Sequence, residues 1–110
     1  MPRVLACVAD LMFRSKILEA AKAAGAEISF ARDKAGAMEA ADIILVDLND
    51  ARLAPLEIVA AIRGRAARII GFAGHTETET MRRAAELGCT DVMTRGQFAA
   101  KLPELLSEKK

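Results

Sequence analysis

The stretch Ala41–Asp50, ADIILVDLND, constrains this chain more than any other. Its four consecutive apolar residues, Ile43–Val46, are too few and too β-branched for a helix, and they predict a strand buried on both faces. Such strands belong to parallel sheets covered by helices, so the rest of the chain has to supply more strands and the helices between them. It does so in alternation. Arg3–Val8 is an apolar strand, Glu27–Phe30 a short weak one, and Ala67–Phe72 and Thr90–Thr94 follow the central strand. Leu11–Ala24 sets Phe13, Ile17, Leu18, Ala21 and Ala24 at helical spacing, with Gly25 as the stop. Asp33 caps a short helix running to about Ala41. Pro55 opens a third helix whose stripe is Leu56, Val59, Ala60 and Ile62, ended by Gly64. Thr76 or Thr78 caps a fourth through Leu87, and Phe98–Ser107 forms a fifth with Phe98, Leu102, Leu105 and Leu106 inward.

Right-handed crossovers between neighbouring strands then predict the architecture. It is an α/β, flavodoxin-like three-layer sandwich, one domain over residues 1–110, with a five-stranded parallel sheet of order 2-1-3-4-5 and five helices. Ligands of such sheets bind beyond the carboxyl ends of the strands, where the strand order reverses. That point lies between the first and third strands, so Asp10 and Asp47 are expected to face one another there, with Asp50 close by.

Composition narrows the function. A net charge of +1 gives no electrostatic case for nucleic acid or an anionic membrane, and four Phe without Trp or Tyr offer no base-stacking platform. No apolar run approaches the ~18 residues of a membrane span. Met1–Arg3 leads straight into a strand without the pattern of a secretory signal. Cys7 and Cys89 are far apart among apolar or small neighbours, as expected of reduced, buried thiols in a cytoplasmic protein. Met12, Met38, Met81 and Met93 are expected as core fillers, and His75 as an exposed loop residue. Cys7 and Arg14 enclose six residues without a glycine, so they form no amide cradle for a phosphate, and no Gly-rich nucleotide fingerprint is present.

Over nearly its whole length the sequence resembles a response-regulator receiver (CheY-like) domain of two-component signalling. Arg3–Asp10 resembles the opening strand that ends in paired acids. ADIILVDLND followed by LEIVAAIR resembles, without a gap, the phosphoacceptor strand, its loop and the third helix. AAELGCTDVMTRGQF resembles the stretch that closes on Thr-Lys-Pro-Phe. The resemblance implies Asp47 as the phosphoacceptor, a carboxylate nucleophile, with Asp10, Asp47 and the carbonyl of Asn49 as magnesium ligands. It also exposes departures. Ala9 stands where the first acid is expected, Ala73 where the hydroxyl residue is, Arg95 where the lysine is, Gly96 where its proline is, and Val92 where the aromatic switch residue is.

These departures have consequences. Magnesium wants a hard octahedral oxygen shell, so the loss of an acid leaves a weak site or none. Arg95 keeps the positive charge but not the shape of an ammonium, and is expected to pair with Asp47 or Asp10. Without a hydroxyl at Ala73, a phosphorylated Asp47 lacks the donor that draws the loop inward. The reading is a degenerate receiver, or pseudo-receiver. It is a non-catalytic signalling module, capable at most of self-phosphorylation at Asp47, whose partner is a kinase or effector. The face of the fourth helix, fifth strand and fifth helix, with Arg82, Arg83, Glu86, Asp91 and Lys101, would carry that contact or a homodimer. The alternatives are an impaired but genuine phosphoacceptor using magnesium, and a small-ligand binding domain for which the sequence offers no motif.

Overall fold

The computed structural model describes residues 2–66 and 68–107. Five strands, β1 (Arg3–Cys7), β2 (Glu27–Phe30), β3 (Ile43–Asp47), β4 (Arg68–Ala73) and β5 (Asp91–Thr94), form one parallel sheet of order β2-β1-β3-β4-β5. All five residues of β3 are buried, as its uninterrupted apolar run requires. The expected start of the fourth strand at Ala67, and the Met1 lead-in, lie outside the described residues.

Helices α1 (Leu11–Ala24) and α4 (Arg95–Ser107) cover one face, and α2 (Pro55–Ile62) and α3 (Thr78–Leu87) the other. On the first face, Phe13, Ile17 and Ala21 of α1 meet Phe98, Leu102 and Leu106 of α4 over Val4, Leu45 and Phe72. Phe72 and Phe98 stack with centroids 4.1 Å apart, and Phe13 lies 5.1 Å from Phe72. On the second face, Ile58, Val59 and Ile62 of α2 and Ala84 of α3 pack on Leu5, Ile44 and Ile69.

Helix α1 has the expected bounds, and Gly25 closes it at φ 71°, where its N–H reaches the carbonyls of Ala21 and Lys22. Its inward row is narrower than expected. Leu18 is 47% and Met12 69% exposed, because only the i, i+4, i+8 positions face the sheet. Met12 therefore fills no core, whereas Met38, Met81 and Met93 are half-buried against it.

Three other elements differ from expectation. The second helix contracts to a single 3₁₀ turn, Gly36–Met38, leaving four α-helices among the described residues. Asp33 still organises it, accepting the Gly36 N–H at 2.8 Å. Only Ala37 is buried there, too little apolar surface to offset the cost of nucleating a helix that contains glycine. Neither Thr76 nor Thr78 caps α3. Residues 74–77 close a turn through Glu77 N–H to Gly74 O, which puts Glu77 at the cap position without a side-chain bond.

The last helix begins at Arg95 rather than Phe98, directly after β5. Its start is a reciprocal box. Gln97 N donates to Thr94 Oγ1 at 3.1 Å, and Thr94 N donates to Gln97 Oε1 at 2.9 Å. Thr94 and Gln97 stand at the spacing of a capping box, so this signal was present in TRGQ. No helix among the described residues is long and apolar enough to cross a membrane.

Candidate functional site

The carboxyl ends of β1 and β3 and the start of α4 enclose a cleft of about 290 Å³, lined by Asp10, Asp47, Asn49, Asp50, Arg52 and Arg95. The two acids expected to converge therefore do so, and Arg95 and Asn49 join them. Ala73 does not line the cleft. It is fully buried at the end of β4, within the core on the α2–α3 side.

Asp47 is the buried charged side chain of the described residues, 3% exposed. Burial pushes its carboxyl above the ordinary aspartate range. The Asn49 N–H at 3.0 Å and the charge of Arg95 oppose that rise, while Asp50 and Asp10 add to it. The site thus holds one acid whose charge is unwelcome where it sits.

Asp10 also has a local task. It is the N-cap of α1, its Oδ1 accepting from the N–H groups of Met12 at 2.9 Å and Phe13 at 3.1 Å. Its Oδ2 lies 3.7 Å from Arg95 Nη2. The signal was available, since aspartate immediately before a helical run is the standard N-cap pattern.

Arg95 reaches the cleft because the Thr94–Gln97 box fixes the first turn of α4. Its guanidinium rests on the Phe13 ring, 4.8 Å from the centroid, so the aromatic cluster of the core carries it from below. Of the two partners foreseen for Arg95, Asp10 is the closer; to Asp47 it contributes charge.

Asp50, expected close by, and Arg52, outside the anticipated set, complete the wall. Asp50 accepts from Arg52 N at 3.1 Å and Arg52 Nε at 3.2 Å, and this pairing holds the Asp50 carboxyl below its usual range. Asn49 Oδ1 accepts the Gly74 N–H at 2.7 Å, tying the loop after β3 to the loop after β4. His75 is exposed in that second loop.

The resemblance implies magnesium at Asp10, Asp47 and Asn49. As arranged, the carboxylates of the cleft already have partners. Both Asp10 oxygens face donors, one Asp47 oxygen accepts an N–H, Asp50 holds Arg52, and two guanidinium groups share the cleft. Among the described residues no three His, Cys, Asp or Glu side chains are grouped to hold a metal.

Sheet order and flanking helices together make the flavodoxin-like, CheY-like fold. Solved structures share it. The chemotaxis response regulator CheY4 of Vibrio cholerae is 22% identical with a TM-score of 0.77, over 96% of both chains. The receiver domain of the sensor histidine kinase PA1611 of Pseudomonas aeruginosa, solved with magnesium coordinated in its active-site cleft, is 19% identical with a TM-score of 0.75, over 96% of this chain and 93% of that one. NtrX of Brucella abortus is 19% identical with a TM-score of 0.78; 94% of this chain is covered, spanning 25% of that protein's length. No family model and no curated protein matches the sequence.

Proposed function

We propose that this chain is a receiver-like signalling module that acts by binding a partner protein in a two-component-type pathway, without phosphoryl chemistry at Asp47. What supports the reading is the Asp10–Arg95 contact. The cation that a phosphoryl group would recruit already lies 3.7 Å from a carboxylate and rests on Phe13. Phosphoryl transfer depends on positioned, available positive charge, and here it is engaged within the cleft. Ala73 brings no hydroxyl, and the Asn49–Gly74 bond already joins the loops that a phosphorylated aspartate would have to draw together.

The partner, a kinase or an effector, would meet the α3–β5–α4 face, which could also pair two copies of the chain. Much of that face's charge is satisfied internally. Arg82 spans Glu79 and Glu86, and Arg68 meets Asp91. Arg83 and Lys101 form no ion pair among the described residues and are the groups left for a partner's acids.

The test is treatment with acetyl phosphate, and separately with beryllofluoride, in the presence of magnesium, followed by intact mass and amide NMR. The expected result is no adduct and no shift across α3–β5–α4. A stable adduct that disappears in Asp47→Asn would overturn the proposal in favour of a working phosphoacceptor. A partner captured from the native host should be released by the pair Arg83→Glu and Lys101→Glu and retained by Asp47→Asn.

A further inference from the structure

Beside the aspartate cleft, and sharing Asp50 and Arg52 with it, lies a second groove of about 380 Å³. Its walls carry Arg14, Arg32 and Arg52 above a floor that includes Ala9 and Ala31. Three arginines and one carboxylate line it, and that carboxylate, Asp50, is already bound to Arg52. We propose that this groove binds the phosphate group of a small phosphate ester.

The arginines differ in readiness, and the difference carries the inference. Arg14 is held in place from two sides. Its Nε donates to the Val8 carbonyl at 2.8 Å, and its guanidinium lies 4.7 Å from the Phe30 ring centroid. Its terminal nitrogens have no hydrogen bond among the described residues. A planar fork fixed by its own chain, with its outer donors free, is the arrangement that recognises a phosphate without losing further side-chain entropy. Arg32, across the groove, forms no hydrogen bond or ion pair among the described residues. Like charges brought together without a counter-charge cost free energy, which an anion between them would recover.

The location agrees with the charge. The groove opens at the carboxyl ends of β1 and β2 and the turn after β3, beside the point where the strand order reverses. Ala9 now has a consequence of its own. An acid at this position would set a negative charge in the floor, whereas alanine leaves the groove cationic. Among the described residues no aromatic ring lines the groove, and Arg14 covers the nearby Phe30. The recognised unit is therefore the phosphate rather than a base.

The test is an amide NMR titration of the full chain with AMP, glucose 6-phosphate and inorganic phosphate, with adenosine and glucose as uncharged controls. Saturable shifts at Ala9, Ala31, Arg32 and Leu53 are expected with the esters and absent with the controls. The two esters then separate a nucleotide from a sugar phosphate as the carrier. Arg14→Gln and Arg32→Gln should each weaken binding about tenfold, and added salt should weaken it further. Arg14→Gln also removes the Phe30 contact, so Arg32→Gln, whose side chain has no partner to lose, is the variant that keeps the fold and decides. No saturable shift with either ester, equal shifts with adenosine, or binding that Arg32→Gln leaves intact would each overturn the assignment. None of these outcomes bears on phosphorylation at Asp47, which the mass measurement reads separately.

Discussion

Replacing Asp10 separates its two tasks. Oδ1 satisfies the N–H groups of Met12 and Phe13, which α1 cannot satisfy within itself, and Oδ2 faces Arg95 at 3.7 Å. Loss of an N-cap costs about 1 kcal/mol. The ion pair joins side chains that are 42% and 35% exposed, so solvent screens it, and its share is on the order of 0–1 kcal/mol. Asp10→Ala removes both and should cost about 1–2 kcal/mol. For a chain of this size that is a fall in Tm of roughly 4–8 °C. Asp10→Asn keeps a good capping oxygen and loses only the charge, so it should stay within about 0.5 kcal/mol of the parent. Urea and thermal melts at neutral pH measure both variants. If Asn proves as costly as Ala, the charge rather than the cap is what the fold requires. If Ala is neutral or stabilising, the capping argument fails.

Four further outcomes follow from the structure. Burial raises the folded-state carboxyl of Asp47 above its unfolded value, so its contribution favours folding at low pH and is lost as pH rises through the folded value. Asp47→Asn should therefore be more stable than the parent at neutral pH, with the gap closing on acidification; a pH-independent gap in parallel melts would refute this. Ala54, immediately before Pro55, holds φ 50° and ψ 58°, a left-handed conformation disfavoured for alanine, and Ala54→Gly should raise stability by about 0.5–1 kcal/mol in urea unfolding. A methyl on Gly71 would come 2.9 Å from Leu48 Cδ1 and 3.1 Å from Cys89 Sγ, so Gly71→Ala should destabilise by about 1–3 kcal/mol, read by the same melts. Burial pushes the thiols of Cys7 and Cys89 up to about 12 and about 11, so neither should react with a thiol reagent at pH 8 until the chain is unfolded.

The strands, their order and the meeting of Asp10 with Asp47 were legible in the chain before any coordinates. So was the closure of α1 at Gly25. Two further features are written locally. Asp10 before Leu11 is an N-cap pattern and TRGQ starts a helix at Arg95, local signals that the resemblance to receiver domains overlays with an acid of the site and a substitute for its lysine. The collapse of the second helix was less legible, because the apolar residues of KAGAMEA do not reveal that only Ala37 finds a buried place.

By itself the sequence determined whatever depends on neighbours within a turn or a strand: periodicity, caps, glycine stops and the apolar run of β3. Backbone hydrogen bonding and burial patterns act over a few residues, so they are written locally. Tertiary structure alone decided which side chains occupy one another. Asn49 bonds Gly74 from 25 positions away, Arg95 lies on Phe13 and faces Asp10 from the far end of the chain, and Arg14, Arg32 and Arg52 share a wall. Those encounters exist only once the sheet has set its strand ends side by side, since side-chain reach is a few ångströms and separation along the chain says nothing about separation in space.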